Sequence, residues 1–267
     1  MSKAIADLTP GTGVKIRETI NGSTKLVEYI YLGIDDDGNA RMLREAAVCR
    51  RRMNNKCVAN YDGCEADRWL EDKEDGFLAR FDDATLAALS PTSICFRRVL
   101  PSGNIVFPLI DRRAFLLSSR ELGVDDDEPG TCYLDALKKY YDTDDDWDAR
   151  MAVDDDRSAV YWWMRSGGSA SQFRYVGSSG GGAGGNNAAY GVLWQRPAIS
   201  VAPATIVSDE DADEILLLPE EPERENQENT CRCPGAATCE EACGDPEPVT
   251  VKIEMKVEYR ISVLPSS

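Results

Sequence analysis

The most regular stretch of the chain lies near its end. Over residues 251–263, Val251, Ile253, Met255, Val257, Tyr259, Ile261 and Val263 alternate with Lys252, Glu254, Lys256, Glu258 and Arg260. A strict period of two predicts a strand about 40 Å long with one face to bury. A lone strand cannot be stable, so residues 249–267 are expected to add to a sheet, their own or a neighbour's, for attachment or oligomerisation. Earlier, KLVEYIYLGI (25–34) alternates into DDDGN (35–39), and ARMLRE (40–45) returns, which predicts a hairpin. Asp35, Asp36 and Asp37 read as turn residues rather than as a metal cage.

Helical patterns are short. Trp69, Leu70, Phe77 and Leu78 have helical spacing, and FDDATLAALS predicts a helix with Asp83 as N-cap that ends near Leu89. SICFRRVL and NIVFPLI are strand-like and joined by the turn signal PSG, while RAFLLSSRELG predicts a strand running into a helical turn. CYLDALKKYYD, from Cys132, predicts a further helix. The fold class expected is α+β, with short helices and a twisted antiparallel sheet over residues 1–206.

One stretch breaks the pattern. From Gly177 to Ala189 every residue is Gly, Ser, Ala or Asn, a composition that normally reads as a flexible linker. It is flanked, however, by YWWMRS and YGVLWQRPAISV, two aromatic strand-like segments of one domain. A loop displayed on a rigid scaffold is therefore expected, where binding residues commonly sit. Tyr and Trp supply rigid contact area, and Ser, Gly and Asn supply adaptable hydrogen bonds. The candidates are Gln172, Phe173, Arg174, Tyr175, Asn186, Asn187, Tyr190 and Trp194, with ordinary strand and loop roles as the alternative.

The net charge of −17 is unevenly placed: residues 208–248 hold 14 acidic residues against two Arg, a net of −12, so the other 226 residues carry only −5. Residues 207–248 are expected to form an acidic linker. No basic, aromatic cluster of the kind nucleic acid requires is present, so no nucleic-acid partner is expected. No apolar run approaches 18 residues and the first residues lack the apolar core of a secretory signal, so neither membrane insertion nor secretion is expected. A protein made in the cytosol that acts outside would leave by another route, such as lysis.

The chain has no histidine, which excludes Ser-His-Asp and Cys-His catalysis and histidine metal sites. Of nine cysteines, Cys49, Cys57, Cys64, Cys95 and Cys132 are dispersed and read as small apolar residues kept reduced. Cys231, Cys233, Cys239 and Cys243 lie within thirteen polar residues, where two disulfides, one zinc ion or free thiols are all open readings. Asp142, Asp144, Asp146 and Asp148 resemble a calcium loop, but the turn glycine is missing and Val153 stands where a bidentate Glu belongs, so a solvated acidic loop is the competing reading.

FLLSSRELG, AVYWWMRSGGS and YGVLWQRPAISV occur in that order. They resemble a family of mostly uncharacterised domains in Firmicutes and their phages, whose signature runs FLLS-x-x-E, WWLRSP, a Gly/Ser/Asn-rich stretch and YGVRPAL. The segment around DRWLEDKEDGFLARFDDATLAAL is also similar to that family, and the resemblance spans roughly residues 10–202. Two departures stand out: LWQ intrudes into GVRPA, and WWLRSP reads WWMRSGG.

The resemblance implies a C-type-lectin-like fold, related to the formylglycine-generating enzymes and to variable receptor-binding proteins of phages. Trp162, Trp163, Arg165, Arg196 and Pro197 would then be structural, and the segment between them would be displayed. The implied function is a non-enzymatic ligand-binding protein or adhesin on the virion surface, meeting a host glycan or protein. It would be held to other virion subunits, or to itself, through the C-terminal strand. A structural capsid or tail decoration protein is the alternative. An oxidase of the formylglycine-generating type would need a reactive cysteine pair near GVLWQRPA, and none is there.

Overall fold

After a short first strand, β1 (Ser2–Ala4), the chain builds its longest hairpin on Asn21-Gly22. In the computed structural model, which describes residues 2–124, 150–210 and 213–217, both turn residues have positive φ, 51° and 74°. That geometry lets a two-residue turn follow the twist of its strands. It joins β2 (Gly13–Ile20) to β3 (Ser23–Ile34) in continuous antiparallel register, from Gly13↔Ile30 to Ile20↔Ser23. β4 (Ala40–Arg44) returns along β3 after the 35–39 turn. Asp35 shapes that turn, its Oδ1 accepting the N–H groups of Asp37 (3.1 Å) and Asn39 (2.8 Å).

β5 (Cys49–Arg51) leads to two helices, α1 (Glu65–Glu71) and α2 (Asp83–Ala88). The cap of α2 is Asp82, one residue before the expected Asp83; its Oδ1 accepts the Thr85 N–H at 2.7 Å. Then come β6 (Thr92–Cys95), β7 (Arg98–Val99), β8 (Ile105–Val106), β9 (Leu109–Arg112) and β10 (Ala114–Phe115). β11 (Ala152–Val153) and β12 (Ala159–Val160) make a small hairpin before β13 (Trp162–Ser169), β14 (Gln172–Val176), β15 (Gly182–Asn187) and β16 (Leu193–Gln195). The chain continues through β17 (Ala198–Val201), β18 (Ile206–Glu210) and β19 (Asp213–Leu217).

The α+β expectation is overturned: strand accounts for 42% and helix for 11%, with α1 and α2 the α-helices that lie wholly among the described residues, so the domain is β-rich. The helical spacing of Trp69, Leu70, Phe77 and Leu78 spans two elements rather than one. α1 stops at Glu71, the chain turns through Asp72–Gly76, and the Phe77 N–H returns to the Trp69 carbonyl at 2.8 Å. A Cβ on Gly76 would lie 2.1 Å from that same carbonyl, so only glycine fits the turn. The helix expected from Cys132 lies outside the described residues.

Two sheets dominate. The larger has the order β1-β18-β19-β2-β3-β4-β17-β10, and the smaller has the order β15-β14-β13-β16-β5. All pairs are antiparallel except β19 with β2 and β13 with β16. Two of the passages between the sheets are direct, from β4 to β5 and from β16 to β17, whereas β10 of the larger sheet is reached from β5, and left for β13, through intervening segments. The two direct crossings are tied together: the Arg44 N–H donates to Pro197 O (2.9 Å) and the Val48 N–H to Gln195 O (2.8 Å).

By contacts the chain divides into Met1–Glu221 and Pro222–Ser267. The residues read as the start of the acidic linker, from 207, instead supply most of β18 and β19 of the larger sheet. Cys231, Cys233, Cys239, Cys243, the 251–263 alternation and the acidic 142–148 segment lie outside the described residues. So do the zinc, disulfide and calcium readings attached to them. Among the described residues no group of three or more Cys, Asp or Glu could hold a metal ion, and no helix is long and apolar enough to cross a membrane.

Candidate functional site

The residues read as structural all lie inside. Trp162, Trp163 and Arg165 are fully buried on β13, and Arg196 and Pro197 are buried at the corner where the chain leaves the smaller sheet for the larger. Both indole N–H groups and the Arg196 Nε find backbone carbonyls. Trp162 Nε1 donates to Arg150 O (3.0 Å) and Trp163 Nε1 to Arg51 O (2.9 Å). Arg196 Nε donates to Arg44 O (3.0 Å), and its guanidinium carbon sits 5.2 Å from the Trp162 ring centroid. The LWQ residues that interrupt the motif are β16 itself, inserted between β13 and β5 with Trp162↔Trp194 and Trp194↔Arg50 in register.

The FLLSSRE segment forms a buried ion cluster that links the two sheets. Glu121 accepts from Arg165 Nη1 of β13 (2.6 Å) and from Arg41 Nη1 of β4 (2.5 Å). Its Oε2 also accepts the Ser118 N–H (2.7 Å), while Ser118 Oγ accepts the Glu121 N–H (3.1 Å). Arg41 reaches Asp35 Oδ2 at 3.4 Å, and Thr92 Oγ1 donates to the same oxygen at 2.7 Å. Burial by itself would raise the Glu121 carboxyl, but Arg165 and Arg41 outweigh it and hold it below its ordinary value. Nearby, buried Glu18 accepts from Tyr29 Oη (2.7 Å), Arg44 Nε (2.8 Å) and Arg80 Nη1 (3.2 Å). These clusters are architecture: every charged member is engaged by protein.

The candidate binding residues separate into inner and outer positions. Phe173 is fully buried and belongs to the core. Tyr175 is partly buried, edge-on to Trp163 (6.4 Å, 90°) and tilted against Tyr161 (5.9 Å). Gln172 and Arg174 lie on half-exposed positions of β14, paired with Asn187 and Gly185 of β15. The Gly/Ala/Asn run expected as a loop thus contains a six-residue edge strand, paired among the described residues with β14 alone. Asn187 ends it: its carbonyl accepts the Gly191 N–H (3.0 Å) and its Oδ1 the Ala189 N–H (2.9 Å). Asn186 is half-buried against Gly191, and Tyr190 is carried on the intervening turn with 79% of its surface exposed.

Trp194, half-buried, lines a shallow depression of about 170 Å³ with Arg50, Ala159, Val160, Tyr161, Val192 and Leu193. Tyr161 and Val192 are exposed at 48% and 45%. Arg50 and Tyr161 escape sequence reasoning because β5 and the start of β13 meet only through β16, which contributes one residue between them. The structure therefore brings Trp194 together with Arg50 and Tyr161, and it places Gln172, Arg174 and Asn186 apart from them, on β14 and β15 beyond β13.

A β-rich domain with an aromatic depression over β5 and β16 of its smaller sheet is what fold and site define. Residues 21–203 match the family model described as "Domain of unknown function (DUF6273)". The chain belongs to this family. No curated protein and no solved structure matches it.

Proposed function

We propose that this chain is a non-enzymatic ligand-binding protein of the phage virion surface, an adhesin that meets a host-surface glycan or protein. The observation that carries this reading is the gathering of exposed Tyr161, Tyr190 and Val192 around one depression and its adjoining turn. Apolar side chains left clustered in water mark interaction sites more often than scattered ones do. The phage setting draws on the motif order FLLSSRE, WWMRS and YGVLWQRPA. Attachment to other virion subunits, or to itself, is assigned to the alternating C-terminal segment. An oxidase finds little support in the described thiols, since Cys64 and Cys95 are buried and burial pushes the Cys64 thiol up to about 12.

The test is adhesion of the purified chain to whole Firmicute cells and to a glycan array. Trp194→Ala and Tyr161→Ala should each weaken binding at least tenfold, and Tyr161→Ala, at a half-exposed position, should do so with little change in melting temperature. Absence of wild-type binding to every surface would remove the adhesin reading. A second reading, a decoration protein that binds only neighbouring subunits, is favoured by the open edge of β15. Particles that lose stability without the protein, together with no host binding, would select it.

A further inference from the structure

Three consecutive arginines occupy one short stretch and have different fates. Arg51 packs 5.0 Å from the Trp69 ring centroid and pairs with Glu65 (3.6 Å), and Arg52 pairs with Glu65 at 2.9 Å. Arg50, opposite Trp194 in the β5–β16 register, pairs with no carboxylate among the described residues. It is exposed, and its Nη2 reaches only the Val192 carbonyl, at 3.4 Å. A guanidinium offers five donors in a planar fork that matches a carboxylate. One long bond to a backbone oxygen leaves most of that fork available at the rim of the depression.

The other lining residues carry apolar or aromatic side chains: Ala159, Val160, Tyr161, Val192, Leu193 and Trp194. The negative face of an aromatic ring attracts the polarised C–H groups of a sugar ring. The volume, about 170 Å³, equals roughly six water volumes of about 30 Å³. That suits one pyranose better than a peptide segment. The β11–β12 turn directly before Ala159 carries Asp154, Asp155 and Asp156. Their charge opposes any anion at the depression, a doubly charged phosphate more strongly than a singly charged carboxylate, so a bound carboxylate depends on Arg50.

Resting on the binding role proposed above, we infer that this depression takes an acidic sugar, a pyranose ring bearing one carboxylate, with Arg50 as the partner of that carboxylate and Tyr161 and Trp194 against the ring. The test is calorimetry on the full chain with an oligosaccharide ending in glucuronic acid and the same oligosaccharide ending in glucose. The acidic sugar should bind at least tenfold more tightly and weaken as salt is raised. Arg50→Gln should reduce it to the level of the neutral sugar while leaving the melting temperature unchanged. Equal affinity for the two sugars, a preference that survives Arg50→Gln, or binding of neither sugar overturns the inference. The adhesin reading falls separately, only if cell and array binding are absent or survive Trp194→Ala and Tyr161→Ala.

Discussion

Arg165 Nη1 lies 2.6 Å from Glu121 Oε2, and both side chains are wholly withdrawn from solvent. The pair joins the smaller sheet to the FLLSSRE segment, and Arg41 extends it into the larger sheet. Removing one partner strands a buried charge, which typically costs about 3–5 kcal/mol. Glu121→Ala and Arg165→Ala should each lower unfolding stability by about that amount in a urea titration. Lys56→Ala, on an exposed loop, should change it by less than about 0.5 kcal/mol. If Glu121→Ala behaves like Lys56→Ala, the cluster does not hold the sheets together.

The same carboxylate sets an acid limit. Its folded value is depressed by Arg165 and Arg41 against the opposing effect of burial. A depressed acid stabilises the fold above its unfolded value, about 4.3 for Glu, and loses that contribution as pH falls through the folded value. The urea midpoint should therefore drop as pH falls below about 4.3. It should drop less steeply in Glu121→Gln, whose amide does not titrate. Parallel curves for the two proteins would remove Glu121 from the acid response.

Local pattern carried some of this architecture and missed the rest for identifiable reasons. The 35–39 turn and the β3–β4 hairpin were legible because alternation and Asp-Gly chemistry both act within a few residues. Asn21-Gly22 carried an equally strong hairpin signal that the alternation of KLVEYIYLGI overshadowed. β15 was illegible because Gly182, Ala183, Gly184 and Gly185 leave no side-chain period to read; only pairing with β14 makes them a strand. β18 and β19 were hidden by their charge, since Asp209, Glu210, Asp213 and Glu214 look like linker until the larger sheet supplies partners. Glu18, Arg41 and Glu121 look like surface residues in sequence, because the cations and carboxylates that make their burial tolerable come from distant segments. Arg50 and Tyr161 of the candidate site were hidden by the same separation.

Thiol reactivity should follow burial. Cys57 is exposed, whereas Cys64 and Cys95 are buried, and burial holds the Cys64 thiol at about 12, where almost no thiolate exists near neutral pH. Timed alkylation with iodoacetamide, mapped by peptide mass spectrometry, should label Cys57 before Cys64 and Cys95. Cys64 and Cys95 should react only in denaturant. Rapid native labelling of Cys64 would mean that the α1 cap, where its Sγ accepts the Asp67 N–H at 3.4 Å, opens readily.

Gly167 tests the departure of WWMRSGG from the WWLRSP pattern. Its N–H donates to Arg97 O at 2.8 Å, its carbonyl accepts Arg97 Nη1, and a Cβ here would lie 2.9 Å from Arg97 O. Proline at this position would remove the donor and bring ring carbons against the same oxygen. The substitution that restores the pattern, Gly167→Pro, should therefore destabilise this chain. The expected loss is about 1–3 kcal/mol by urea unfolding, the usual cost of leaving a buried polar group without its partner. Gly167→Ala, which keeps the N–H and adds only the close Cβ, should lose less. Unchanged or increased stability in Gly167→Pro would show that the backbone around β7 and β13 shifts to accept proline, and that the glycine answers no local constraint.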